Sequence, residues 1–332
     1  MRVQELRRPA PIESNPLTLA SRPVPSPGPG EVLLRIVATG VCHTDLHIAE
    51  GELPPRRDVV VPGHQVVGLV EQVGPGGDLV QGQRVGVTWL FRSCGQCAAC
   101  RRGEENLCPE ARFTGYDVDG GYAEFMCADA RFVYPIPQRF SAAEAAPLLC
   151  AGIIGYRALR KADVTPGERV GLFGFGSSAH LAIQVAVYWG CEVFVFTRSA
   201  GHRVLAVELG AAWTGSAADR PPRPLDRAIL FAPAGALIPK ALAALRPGGT
   251  LAINAVYLDR IPEMEYGLLY GERTLRSVSN LTPQDAREFL ALAAAIPVRT
   301  EVERFSFEAA NAALQKLKRR QIKGAAVLAI AT

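Results

Sequence analysis

The stretch Arg169-Val170-Gly171-Leu172-Phe173-Gly174-Phe175-Gly176-Ser177-Ser178-Ala179 decides the fold. Val170 to Phe173 is an unbroken apolar run of strand length, and a helical pattern follows from His180 to Trp189. The spacing between them is G-x-G-x-x-A, a weak signal that gains weight from this strand, turn and helix setting. Gly174 permits the tight turn, Gly176 lets a pyrophosphate approach the backbone, and the small Ala179 lets helix pack on strand. Ser177 and Ser178 lie in the turn that leads to the helix N-terminus, where free N–H groups and the dipole favour an anion. The stretch predicts a dinucleotide site in a parallel α/β unit; the alternative is a tight turn with no ligand.

Downstream, a second strand from Glu192 to Thr197 runs into Arg198-Ser199. A site for NAD usually carries Asp or Glu here, on the ribose hydroxyls. With no carboxylate, nothing repels a 2′-phosphate, and Arg198 can pair with one through charge-assisted hydrogen bonds. Thr197 and Arg198 therefore favour NADP over NAD, unless Arg198 is an ordinary exposed loop arginine. The alternation continues with helices over 202–209 and 236–245 and strands over 226–231 and 250–255, and residues 273–279 form a last strand. Such alternation implies right-handed crossovers and a doubly wound parallel sheet.

Upstream the texture differs. Short Val-rich strands over 32–38, 66–73, 84–88 and 122–127, separated by Gly and Pro turns, read as an all-β barrel or sandwich. Among them lie Cys94, Cys97, Cys100 and Cys108, spaced C-x2-C-x2-C-x7-C. Four thiols in so short a loop can close a tetrahedral zinc site with no open position, which makes it structural. An iron–sulfur cluster is the competing occupant, and four unliganded thiols would leave an oxidation-prone loop.

A second constellation follows the first strand. Cys42, His43, Thr44, Asp45 and His47 fall within six residues. Thiolate and imidazole are ligands zinc prefers, and a catalytic zinc has three protein ligands and an open fourth position. His64, after a Pro-Gly turn, and Cys150, in an apolar segment, are the candidates to complete a set with Cys42, although a lone Cys usually packs as a small hydrophobe. Thr44 and His47 suggest a proton relay, because a hydroxyl donates and accepts at once and an imidazole titrates in the physiological range. His47 also reads as a surface histidine on a short helix.

The 332 residues exceed one compact core, so two domains are expected. A net charge of only +4, with no basic cluster interleaved with aromatics, argues against a nucleic-acid partner. No apolar run of membrane-spanning length is expected, and residues 1–15 lack the apolar core of a signal peptide, so a cytoplasmic protein without a membrane partner is expected. In a reducing compartment, eight cysteines argue for metal or catalysis over disulfides.

The motifs Gly40 to His47, Gly63-His64-Gln65-Val66-Val67-Gly68, the four-cysteine lobe, GYDVDGGYAE over 115–124, Cys150 and the glycine turn at 174–179 fall along the whole chain. On them the chain resembles the zinc-dependent alcohol dehydrogenases of the medium-chain dehydrogenase/reductase superfamily. The resemblance implies an α/β protein with a GroES-like β-rich catalytic domain over 1–150, carrying a structural zinc lobe at 94–108. It further implies a Rossmann doubly wound parallel-sheet domain over 151–285 and a return to the catalytic domain over 286–332. Two zinc ions per chain are implied, a catalytic one on Cys42, His64 and Cys150 and a structural one on Cys94, Cys97, Cys100 and Cys108. Thr44 and His47 match the family's proton relay, and Asp45 the carboxylate behind the ligand histidine. His43 matches a contact to the cofactor phosphate, and Trp89 a residue lining the substrate pocket. Two positions depart from the family: Gln65, where glutamate is frequent, and Ala325, near which relatives carry an arginine for the pyrophosphate.

The implied activity interconverts a small-molecule alcohol and its aldehyde or ketone by hydride transfer with a nicotinamide cofactor, in a homo-oligomer, dimer or tetramer. Trp89 and Leu90 suggest an apolar pocket, against a polyol or amino-acid-alcohol dehydrogenase of the same superfamily. A non-catalytic, redox-sensitive zinc and nucleotide-binding protein is the reading from another class, and it predicts an empty or blocked Cys42/His64/Cys150 site.

Overall fold

The computed structural model describes residues 1–330. The chain divides into two units: residues 1–150 with 280–295 and the stretch from Arg299 onward, and residues 151–279 with 296–298.

The first unit is built on a seven-stranded sheet. In spatial order its strands are Val302–Ser306, Ala325–Ala329, Glu31–Val41, Gln65–Val73, Arg84–Val87 and Val133–Pro135, and Phe125–Asp129 also pairs with Glu31–Val41. All pairings are antiparallel except that of Val302–Ser306 with Ala325–Ala329. The expected barrel or sandwich is thus one mixed sheet flanked by two ribbons, Arg2–Leu6 with Leu17–Ser21 and Leu90–Arg92 with Arg112–Phe113. Alternation drives the pairing: Val32, Leu34 and Ile36 are buried in one core with Val66, Val70, Val85 and Val87, as a half-covered strand requires.

The strand Glu31–Val41 delivers Cys42 directly to the helix His43–Glu50. The Asp45 carboxylate accepts the Cys42 backbone N–H at 2.9 Å, a capping contact that starts the helix. Gly51, at φ 78°, ends it in the left-handed region. Eight residues would make a marginal helix alone; Leu46, Ile48 and Ala49 anchor this one in the core.

The second unit is a six-stranded, all-parallel sheet in the order Trp213–Gly215, Glu192–Phe196, Arg169–Phe173, Leu225–Leu230, Leu245–Ile253 and Thr274–Ser277. Numbered along the chain, that order is 3-2-1-4-5-6, the doubly wound arrangement of dinucleotide-binding sheets. Its helices are Ala151–Lys161, Ser177–Tyr188, Ala200–Glu208 and Leu237–Ala244. Val170, Leu172 and Phe173 are fully buried, which explains their unbroken apolar run: a parallel sheet is covered on both faces.

Three expectations need correction. The sheet unit ends at residue 279, not 285. Asn280 turns the chain at φ 56°, and Thr282 and Asp285 cap the helix Pro283–Ala295, which belongs to the first unit. The strand expected from Tyr122 begins at Phe125, because the backbone N–H groups of Gly120, Gly121 and Tyr122 are taken by the carbonyls of Val61, Gly63 and Pro62. Lastly, Ala142–Lys161 is long and apolar enough to cross a membrane, but 72% of its apolar window is buried inside the protein, the behaviour of a core segment.

Candidate active site

Cys42, His64 and Cys150 come together within the first unit, with their ligand atoms all within 4.8 Å of one another. Cys42 arrives at the end of a strand, His64 immediately before the strand Gln65–Val73, and Cys150 between two helical segments. His64 is fully buried. Its Nδ1 is 3.1 Å from Asp45 Oδ1, whereas its Nε2 has no hydrogen-bond partner. A buried nitrogen without a partner costs free energy. A ligand histidine that donates Nδ1–H to a carboxylate and aims Nε2 at a metal resolves that cost.

The electrostatics point the same way. Burial lowers the His64 pKa, but the Asp45 charge and the Cys42 thiol outweigh it and push it up to about 10. The hydrogen bond with Cys150 holds Cys42 well below the usual thiol range against the effect of burial, and the same contact with burial pushes Cys150 well above it. The pocket draws in positive charge. Two sulfurs and an imidazole nitrogen at these separations suit one zinc ion with a fourth position open.

Around this centre the structure brings Thr44, Asp45 and His47 together on the helix His43–Glu50. Thr44 Oγ1 lies 3.8 Å from Cys42 Sγ. His47 is 9% exposed, a buried residue and not the surface histidine of the alternative reading, and its Nδ1 pairs with the Glu52 carboxylate. Glu52 was not singled out by the sequence analysis; its place just past Gly51 was the available signal. His43 is exposed, its ring centroid 6.4 Å from that of His47. Trp89 meets His64 edge-on at 5.0 Å and stacks with Phe113 at 5.2 Å and Tyr116 at 5.9 Å. Gln65 is buried on the strand opposite Gly40, where any Cβ would stand 2.8 Å from the Gln65 amide carbon. The Gln65 side chain is neutral, and its buried Oε1 has no hydrogen-bond partner. Ala325 is also buried, its N–H donating to the Glu301 carbonyl at 2.8 Å.

Cys94, Cys97, Cys100 and Cys108 form a second cluster with all four sulfurs within 4.8 Å. Sulfurs about 2.3 Å from a shared tetrahedral zinc lie about 3.8 Å apart. The observed Cys94–Cys100 and Cys94–Cys108 separations are 3.9 and 3.5 Å. That spacing suits one ion, whereas the four cysteines of an iron–sulfur cluster are divided among two or four irons and do not all stand this close. Backbone N–H groups of Cys97 and Cys100 point at the Cys94 and Cys97 sulfurs at 3.3 and 3.5 Å. Backbone hydrogen bonds from Gln96 and Cys97 bring the Cys94 pKa down to about 7.

In the second unit, Gly174 takes φ 95°, and a Cβ there would sit 2.8 Å from the Ala232 nitrogen. A Cβ on Gly176 would meet nothing within 4 Å, so the space above it is open. No side chain caps the helix Ser177–Tyr188 that starts there. Its first N–H groups remain available for a phosphate, and Ser177, Ser178 and the buried Ala179 form that first turn. At the end of the next strand Thr197 is buried and Arg198 exposed. Arg203, not anticipated, donates from Nε to the Thr197 carbonyl at 3.0 Å, which holds a second guanidinium at the end of that strand.

Comparison with known proteins agrees with this architecture. Residues 28–138 match the alcohol dehydrogenase GroES-like domain. A probable alcohol dehydrogenase of Mycobacterium tuberculosis (strain CDC 1551 / Oshkosh) is 49% identical over 337 residues, covering 99% of this chain and 97% of its own. Among solved structures, a cinnamyl alcohol dehydrogenase from Sorghum bicolor has a TM-score of 0.90 at 28% identity, covering 99% of this chain and 97% of its own. CAD from Helicobacter pylori, complexed with NADP(H), has a TM-score of 0.87 at 26% identity and covers 99% of both chains. The chain belongs to the zinc-type alcohol dehydrogenase family of the medium-chain dehydrogenase/reductase superfamily. It is an NAD(P)-dependent enzyme that interconverts alcohols and aldehydes.

Proposed function

We propose that this chain is an alcohol dehydrogenase holding two zinc ions, a catalytic one on Cys42, His64 and Cys150 and a structural one on the four-cysteine lobe, and that it prefers NADP. The partnerless Nε2 of the buried His64, aimed into a pocket with two thiols, carries the reading. Bound there, zinc would polarise the substrate oxygen and lower the alcohol's pKa, while the nicotinamide would accept the hydride. Asp45 fixes the His64 ring through Nδ1. Thr44 can accept a proton from the substrate hydroxyl and pass its own onward. His47 leads it toward Glu52, whose side chain is 38% exposed. Trp89 presents an apolar edge beside His64, which supports apolar alcohols over polyols.

For the cofactor, no carboxylate occurs from Thr197 to Arg203, and the guanidinium groups of Arg198 and Arg203 supply charge for a 2′-phosphate. His43 would contact the cofactor phosphate. We also infer a cytoplasmic location, supported by eight free thiols, and a dimer or tetramer, supported by the exposed edge strand Thr274–Ser277.

The test pairs metal analysis of the purified chain with nicotinamide absorbance, using a primary-alcohol series with NADP and NAD separately. About two zincs per chain and faster turnover with NADP are expected. One zinc and no turnover with either cofactor contradict the proposal.

A further inference from the structure

Four donors converge on the fully buried Asp45 carboxylate. Oδ1 accepts the Gly63 N–H at 3.1 Å and faces His64 Nδ1 at 3.1 Å; Oδ2 accepts the Cys42 N–H at 2.9 Å and the Tyr122 hydroxyl at 3.3 Å. Three of these donors belong to the segments that carry Cys42 and His64. Tyr122 comes from elsewhere in the chain and is itself fully buried.

Its position is tightly built. The N–H groups of Gly120, Gly121 and Tyr122 donate to Val61, Gly63 and Pro62 at 2.7, 2.8 and 2.9 Å, while the Tyr122 carbonyl accepts the Gln4 N–H at 2.8 Å. Gly63 has φ 96°, and a Cβ there would stand 2.4 Å from the Tyr122 ring; one on Gly120 would stand 2.1 Å from the Gly63 oxygen. Only glycine lets the ring lie against the turn that precedes His64. Burial and the Asp45 charge push the Tyr122 phenol well above its usual range, which keeps it a donor.

We propose that Tyr122 is a positioning residue for the catalytic metal: its hydroxyl fixes the rotation of the Asp45 carboxylate, which aims His64 Nε2 toward the Cys42 and Cys150 sulfurs. This rests on the reading that those three residues hold zinc. The Asp45 side chain turns about Cα–Cβ and Cβ–Cγ, and donors on both carboxylate oxygens remove that freedom. Without the phenol, Oδ2 keeps only a backbone donor, and the imidazole behind the other oxygen is aligned less well. The four-cysteine lobe, held by its own backbone N–H groups, serves as an internal control within the same chain.

The experiment is zinc release from the zinc-loaded full chain into excess chromogenic chelator, comparing wild type, Tyr122→Phe, Asp45→Asn, the double variant and His64→Ala. The phase missing from His64→Ala is that of the catalytic site. In Tyr122→Phe that phase is expected to run about 3–10-fold faster, below the roughly 10–100-fold cost of losing a direct ligand partner, while the lobe phase is unchanged. Because Tyr122 acts through Asp45, the double variant is expected to release zinc no faster than Asp45→Asn alone. A catalytic phase in Tyr122→Phe equal to that of wild type, or both phases accelerated alike, overturns the inference. A wild-type chain with no His64-dependent phase overturns the ligand reading and this inference with it.

Discussion

The lobe at Cys94–Cys108 gathers four sulfurs from one short loop, whereas the centre at Cys42, His64 and Cys150 gathers three ligand atoms from segments far apart in the chain. In the lobe, negative charge on sulfur is met by neighbouring backbone N–H groups, and the four donors saturate a tetrahedral ion. In the distributed centre the balance comes from a buried carboxylate behind the imidazole, and one coordination position stays open. A local site can be closed by its own loop. A distributed one depends on the whole first unit, including the strand that delivers Cys42 and the turn that precedes His64. Reactivity therefore resides where the fold, and not the metal, holds the geometry.

The comparison breaks most visibly at His64. His64→Ala is expected to lower kcat about a thousandfold or more, roughly 4 kcal/mol or above, and to remove one zinc while the lobe keeps its own; steady-state kinetics with metal analysis check it. Cys97→Ser acts on the other side. It is expected to lower Tm by about 5–10 °C, roughly 2–3 kcal/mol, while kcat per catalytic zinc changes little; differential scanning calorimetry with kinetics checks this. Asp45→Asn sharpens the contrast, with catalytic zinc bound about 10–100-fold more weakly and lobe zinc unchanged in a chelator competition. The smallest effect is expected in the second unit. Arg198→Ala leaves both metals in place and lowers the NADP to NAD ratio of kcat/KM about tenfold, near 1.5 kcal/mol for one charge-assisted hydrogen bond.

Legibility followed locality. The four cysteines could be read from spacing alone, and the glycine turn at 174–179 from the strand and helix around it. Cys42, His64 and Cys150 could be read only as separate candidates, because no periodicity encodes a meeting of three segments; resemblance to a family joined them. Partners formed by the fold stayed out of reach, as with Glu52 beside His47, Arg203 beside Thr197 and the Tyr122 hydroxyl on Asp45. The ribbon Arg2–Leu6 with Leu17–Ser21 and the helix Ala151–Lys161 were missed as well. In the ribbon a long irregular link hides the pairing, and in the helix Gly152 and Gly155 weaken the helical signal. Gly155 is there for packing: a Cβ would stand 2.9 Å from the Ser178 carbonyl oxygen on the neighbouring helix.

Anomalous diffraction at the zinc edge, on crystals of the wild-type chain, tests the central claim most directly. Two peaks per chain are expected, one about 2.3 Å from the Cys42 and Cys150 sulfurs and about 2.0–2.1 Å from His64 Nε2, the other centred among the four lobe sulfurs. A peak in the lobe with none at Cys42, His64 and Cys150 would contradict it.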